Sequence, residues 1–123
     1  MNHLELKDLT SYKIAVDLSS YIWDIVSKWD WFNKKTLGSQ WVEAMDSIGG
    51  NIAEGFGRFH KKDKVKFYYN ARATVYESIH WKDRASEREL ISEKENDYIS
   101  TRINNLPKEI NNLIGLTMKN LKY

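Results

Sequence analysis

Between positions 8 and 31, Tyr12, Ala15, Val16, Ser19, Ile22, Ile25, Val26 and Trp29 follow one another at steps of three and four. That spacing returns to one side of a helix every turn, so it predicts an amphipathic helix over 8–31. Asp8 or Thr10 is placed to cap its start by accepting an orphan backbone N–H. The polar stretch from Asn33 to Ser39, with one glycine, reads as a connection. A second helix is expected from about Ser39, carrying Trp41, Met45, Ile48, Ile52 and Phe56 on its apolar side. Gly49 and Gly50 interrupt it and predict close approach by another helix, because a mid-helix glycine otherwise costs about 1 kcal/mol. Gly55 and Gly57 suit its C-terminus, where a left-handed residue satisfies the last carbonyls.

The third run covers 61–86 and has two apolar stripes. Phe67, Ala71, Thr74, Ser78 and Trp81 form one, and Val65, Tyr68, Val75, Tyr76 and Ile79 the other. One stripe is enough for a bundle core, so the second predicts a central helix or a surface held by another subunit. The fourth run opens at Ser92, with Glu95 at capping-box spacing. It continues through Ile99, Ile103, Leu106, Ile110, Leu113, Thr117 and Leu121. Pro107 lies inside it and removes one backbone donor. The run therefore kinks at the proline or breaks into two helices near Asn105, and the unbroken apolar register favours one kinked helix. Four such segments with short connections predict a single all-α domain over 1–123, an antiparallel up-and-down four-helix bundle.

Composition agrees with this picture. Six glycines and one proline in 123 residues are too few for a strand-and-turn fold, which needs punctuation roughly every 8–12 residues. The length suits one core and is too short for two. The absence of cysteine excludes disulfides, thiolate metal sites and cysteine nucleophiles. The N-terminus has no signal pattern and no apolar run approaches the ~18 residues of a membrane span, so a cytoplasmic protein is expected.

Candidate chemistry is sparse. Glu77-Ser78-Ile79-His80 is half of a dinuclear carboxylate metal pattern, but the second Glu-x-x-His is missing, and His3 and His60 stand apart from it. Neither phosphate-cradling glycine loops nor a nucleophile–base pattern is present. No enzyme activity, cofactor or metal is expected. A net charge of +2 does not by itself imply nucleic acid. Yet Arg58, Lys61, Lys62, Lys64 and Lys66 fall within nine residues, interleaved with Phe59, His60 and Phe67. Such a cluster can take phosphates while its aromatics stack on bases. Asn51, Glu54, Arg58, Arg72 and Glu77 interrupt apolar faces and are candidates for a polar network between the second and third segments.

Ala44-x-x-Ser47-Ile48-x-x-Asn51-Ile52-Ala53-Glu54-Gly55-x-x-Arg58, then Phe67-Tyr68-x-x-Ala71-Arg72 and Glu77, resembles the bacterial family of ribosomal RNA intervening-sequence proteins. The opening Asp8-Leu9-x-x-Tyr12-x-x-Ala15 resembles the family's start. A related branch is the accessory variability protein of diversity-generating retroelements. The resemblance implies an antiparallel four-helix bundle, a homopentamer and no enzymatic activity. In the related branch it also implies binding to RNA or DNA and to a reverse transcriptase through a basic surface. Ala73-Thr74, His60 and Trp41 depart from the family pattern. The five Trp and seven Tyr exceed what a small core hides, which fits a partner surface.

Overall fold

The computed structural model describes residues 4–123, which leaves His3 outside the described residues. A short 3-10 turn (Leu6–Asp8) precedes α1 (Thr10–Val26); α2 (Trp31–Asn33) leads through a π turn (Lys34–Gly38) into α3 (Ser39–Gly57); α4 (Lys61–Glu87), α5 (Glu93–Ile103) and α6 (Leu106–Asn120) complete the chain. Among the described residues there is no strand. α3 packs between α1 and α4, and α5 and α6 close the bundle by packing on both α4 and α1.

Residues that bridge neighbouring helices pair in opposite order. On α1 and the 31–57 helix, Tyr12 meets Gly49, Ser19 donates to Asp46, and Val26 meets Gly38. Between α4 and α5–α6, Arg72 reaches Asn111 and Lys82 reaches Ser100. One end of the bundle therefore gathers the α3–α4 connection, the start of α1 and the end of α6. The other end gathers the 27–30 and 88–92 connections, which Trp29 ties together by donating its indole N–H to the Leu90 carbonyl at 3.0 Å.

The core is a continuous column that includes Leu18, Ile22, Trp41, Met45, Ile48, Ile52, Tyr68, Val75, Ile99, Ile103, Leu106 and Ile110, all below 2% exposure. Both stripes of α4 contribute to it. Tyr68, Ala71, Val75 and Ser78 are buried, and of the two stripes only Tyr76 is exposed. The second stripe is thus mostly core, because α4 packs against α3 on one side and α6 on the other. Lys82 is also buried in this seam, its ammonium 2.7 Å from Ser100 Oγ and 3.0 Å from Asp83 Oδ1.

The local differences from the expected segments have identifiable causes. α1 stops at Val26, short of Trp31, and Asp8 caps the preceding turn through the Glu5 N–H instead of capping α1. The 33–39 stretch is helical. Asp30 caps it by accepting from Asn33 N at 3.0 Å, which holds the Asp30 carboxyl below its ordinary range. The π turn that follows adds one residue to the helix and brings Leu37 and Gly38 inward. Gly38 is required there, since an added Cβ would lie 2.8 Å from Val26 Cγ1.

Gly49 makes ordinary contacts with Tyr12, Ala15 and Val16, and Gly50 meets nothing within 4 Å, so neither marks the close approach. That approach is at Gly55, against Tyr68 and the Lys64 carbonyl. No glycine adopts positive φ; the left-handed residue is Glu89 (φ 59°), which closes α4 through Leu90 N to Ala85 O and Glu89 N to Ser86 O.

The fourth run is interrupted at Asn104–Asn105, giving α5 and α6, although both asparagines stay right-handed helical. Pro107 falls in the first turn of α6, where its missing N–H leaves no gap in the ladder. The expected kink at the proline is therefore a break just before it. Ser92 and Glu95 form the expected capping box, at 3.0 and 2.8 Å. No described helix is long and apolar enough to cross a membrane.

Candidate nucleic-acid interface

The α3–α4 connection spans only Arg58 to His60, so the end of α3 and the start of α4 present their basic residues together. The five residues of the cluster divide into two groups. Lys64 is half-buried and turned inward, its ammonium donating to Phe56 O at 2.6 Å and lying 3.5 Å from Gly55 O. These are orphan carbonyls of the α3 C-terminus, where a cation is favoured. Burial pushes Lys64 below the ordinary lysine range. Lys61 is also engaged: its backbone N–H donates to Tyr123 O and its ammonium donates to Leu121 O at 3.3 Å, tying the chain's last residues to the start of α4.

Arg58, Lys62 and Lys66 are exposed. Arg58 pairs with Glu54 at 3.1 Å and lays its guanidinium 4.7 Å from the Phe67 ring centre. Both members of that pair are solvent-accessible, so the pair adds little stability. Among the described residues, Lys62 and Lys66 form no ion pair. Phe59 is exposed beside them and stacks on Tyr123, with ring centres 6.0 Å apart.

Asn51, Glu54, Arg72 and Glu77 do not share one buried network. Asn51 donates to the Ser47 carbonyl of its own helix and Glu54 takes Arg58. Arg72 donates to Asn111 Oδ1 on α6 at 2.6 Å, and Glu77 accepts from Trp81 Nε1 at 3.2 Å. Their hydrogen bonds run along each helix or outward to α6. Glu77 and His80 gather no further donors: among the described residues no three His, Asp or Glu side chains converge.

Two features lie beyond the reach of local sequence clustering. Lys119 and Lys122 join the basic end only through the antiparallel return of α6. Further, Lys62, Lys66, Tyr69, Ala73, Tyr76 and His80 are all exposed and lie on one side of α4 at steps of four and three. That spacing was legible, but Tyr76 reads equally well as part of a buried stripe.

Taken over the bundle, residues 4–18, 48–72 and 106–123 hold eleven Lys and Arg against six Asp and Glu. Residues 19–47 and 73–105 hold eight against eleven. A nearly neutral chain is thus polarised along its axis, positive at the α3–α4 end and negative at the other.

On the α1–α3 side, Trp23, Val26, Gly38 and Val42 line an open groove of about 550 Å³ rimmed by Lys34, Glu43 and Asp46. Trp23 is 60% exposed there.

Among curated proteins none matches the chain in sequence. A family model described as 23S rRNA-intervening sequence protein matches residues 7–112, and the chain belongs to that family.

Proposed function

We propose that this protein is a non-enzymatic, self-associating helical scaffold that contacts RNA or DNA through its positive end. The polarised charge carries the proposal: the basic end brings Arg58, Lys62 and Lys66 to the surface at the same end as Lys119 and Lys122, while eleven of the seventeen acidic residues lie in the other half. Phosphate contacts of this kind bind through counterion release and weaken steeply with salt. Repeating the positive end around a symmetric assembly multiplies a modest charge into a strong field. The family resemblance implies five copies.

Self-association is supported by the α1–α3 side. Trp23 is an exposed large apolar side chain, and the half-buried Val42 lies along the same groove. Contiguous apolar surface of this type marks a partner site. The same groove would serve the second reading, a module that docks another protein such as a reverse transcriptase, with no nucleic-acid contact of its own.

The test is light scattering and fluorescence anisotropy with a short structured RNA at low and high salt. Binding that weakens with salt, and that Lys62→Glu with Lys66→Glu abolishes while the oligomer persists, supports the proposal. Equal binding by that variant, or no binding at low salt, overturns it and leaves the protein-docking alternative.

A further inference from the structure

We infer that the exposed row on α4 is a binding track for single-stranded nucleic acid, with Tyr69 and Tyr76 stacking on unpaired bases. This rests on the nucleic-acid proposal above and adds which form of nucleic acid is taken. Tyr69 is 46% and Tyr76 61% exposed, on a helix whose other face is core. They stand seven residues apart, so their positions are separated by about 10.5 Å along the axis. That equals about three base steps at the ~3.4 Å rise of a stacked strand. Between them Ala73 is small and exposed, which leaves room for bases to approach both rings.

The phosphate side of the track is built from the same row. Lys66 precedes Tyr69 by three residues and Lys62 precedes Lys66 by four, so both ammonium groups continue the line toward the positive end. Arg72 lies 4.8 Å from the Tyr69 ring centre and is held in place by Asn111. Its guanidinium covers one face of the ring and leaves the tyrosine pre-ordered for a base on the other. Aromatic platforms beside cations that follow a backbone are the means by which proteins take single strands without reading their sequence. A duplex cannot use such platforms, because its bases are already stacked inside the helix.

The chemistry of the row separates it from a protein-docking face. It has no aliphatic side chain larger than alanine, and three of its six positions are lysine or histidine. An open apolar groove lies on the α1–α3 side instead. Asp63, Asn70 and Glu77 form a neighbouring stripe one residue further around α4, so the negative charge flanks the track without interrupting it.

The experiment measures anisotropy of a labelled unstructured 12-mer RNA, and of the same 12-mer annealed to its complement, against wild type, Tyr69→Ala/Tyr76→Ala and Tyr69→Phe/Tyr76→Phe. Wild type should prefer the single strand. The alanine pair should weaken single-strand binding by about tenfold or more per ring while leaving the weaker duplex binding unchanged, and the phenylalanine pair should restore it. Light scattering and circular dichroism on each variant separate loss of binding from loss of assembly. Equal affinity of the alanine pair for the single strand overturns the track while leaving phosphate binding standing. An alanine pair that loses the oligomer overturns it in favour of a protein interface on α4. A wild type that binds neither RNA overturns both this inference and the proposal it rests on.

Discussion

Gly55 is the position where the packing of α3 on α4 is tightest, and replacing it with alanine tests that packing directly. The added Cβ would sit 2.7 Å from Tyr68 Cε1 and 2.8 Å from the Lys64 carbonyl oxygen. Neither neighbour is the loose end of a flexible side chain. One is a fully buried ring and the other is backbone, so the two helices must separate by several tenths of an ångström. Forcing a methyl group into a packed seam costs about 1–3 kcal/mol. The better helix propensity of alanine returns at most about 1 kcal/mol, and less near the end of α3. The expected net loss is about 2 kcal/mol. Gly50→Ala is the matched control. It lies on the same helix with nothing within 4 Å of its Cβ, so it should gain about 0.5–1 kcal/mol. Urea unfolding followed by circular dichroism, at one fixed protein concentration, should therefore separate the variants by about 3 kcal/mol. Equal stability of Gly55→Ala and wild type would refute the close-packing argument. A matching loss in Gly50→Ala would show that the penalty belongs to glycine replacement in general.

Three further outcomes follow from particular contacts. Burial pushes Tyr68 up to about 12 from an ordinary value near 10, so the unfolded chain ionises first as pH rises. Stability is complete below pH 10 and should fall by up to about 3 kcal/mol between pH 10 and 12; Tyr68→Phe should flatten most of that decline in denaturant titrations, and an unchanged slope would count against it. Glu89→Gly relieves the only positive φ of a non-glycine residue among the described residues and should raise stability by about 1 kcal/mol, read as a higher melting temperature. Ser100→Ala leaves the buried Lys82 ammonium with Asp83 alone and should cost about 1–3 kcal/mol, checked by chemical unfolding.

Apolar periodicity was a good guide wherever helices present one side to the core. Ile22, Met45, Ile48, Ile52, Ile99 and Ile110 are all buried, and the capping box at Ser92 forms from the residues that announced it. The structure departs from the periodicity where a local signal has two physical meanings. The Lys34–Gly38 stretch is polar enough for a loop, yet the Asp30 cap starts a helix before it and one buried leucine holds it inward. Pro107 reads from the sequence as a helix-interior residue, where a missing donor bends the chain, but a break two residues earlier moves it into the first turn. The basic cluster is visible in the sequence as a cluster, whereas the directions of Lys64 and Lys61 depend on contacts eight to sixty residues away. Lys64 turns to the carbonyls of α3 and Lys61 to those after α6, information that no local window contains.

The same contacts explain why the Asn-Ile-Ala-Glu-Gly segment sits where it does relative to the surface proposed for nucleic acid. Ile52 is wholly buried and fixes the depth of α3 in the core. Three residues later Gly55 lets Tyr68 and the Lys64 backbone approach, which sets the distance between α3 and α4 at their shared end. Arg58, paired with Glu54, lies over Phe67 on the outer side of the three-residue connection. With α4 seated this closely, Lys64 reaches the α3 carbonyls while Lys62 and Lys66, on the opposite side of the same helix, are left facing solvent in line with Tyr69. A side chain at Gly55 would thus do more than destabilise: by shifting α4 it would disturb both Lys64's cap and the alignment of the basic end. The segment on which the family resemblance rests is therefore a packing device in this chain, and the residues proposed to meet a ligand are those that its packing leaves outside.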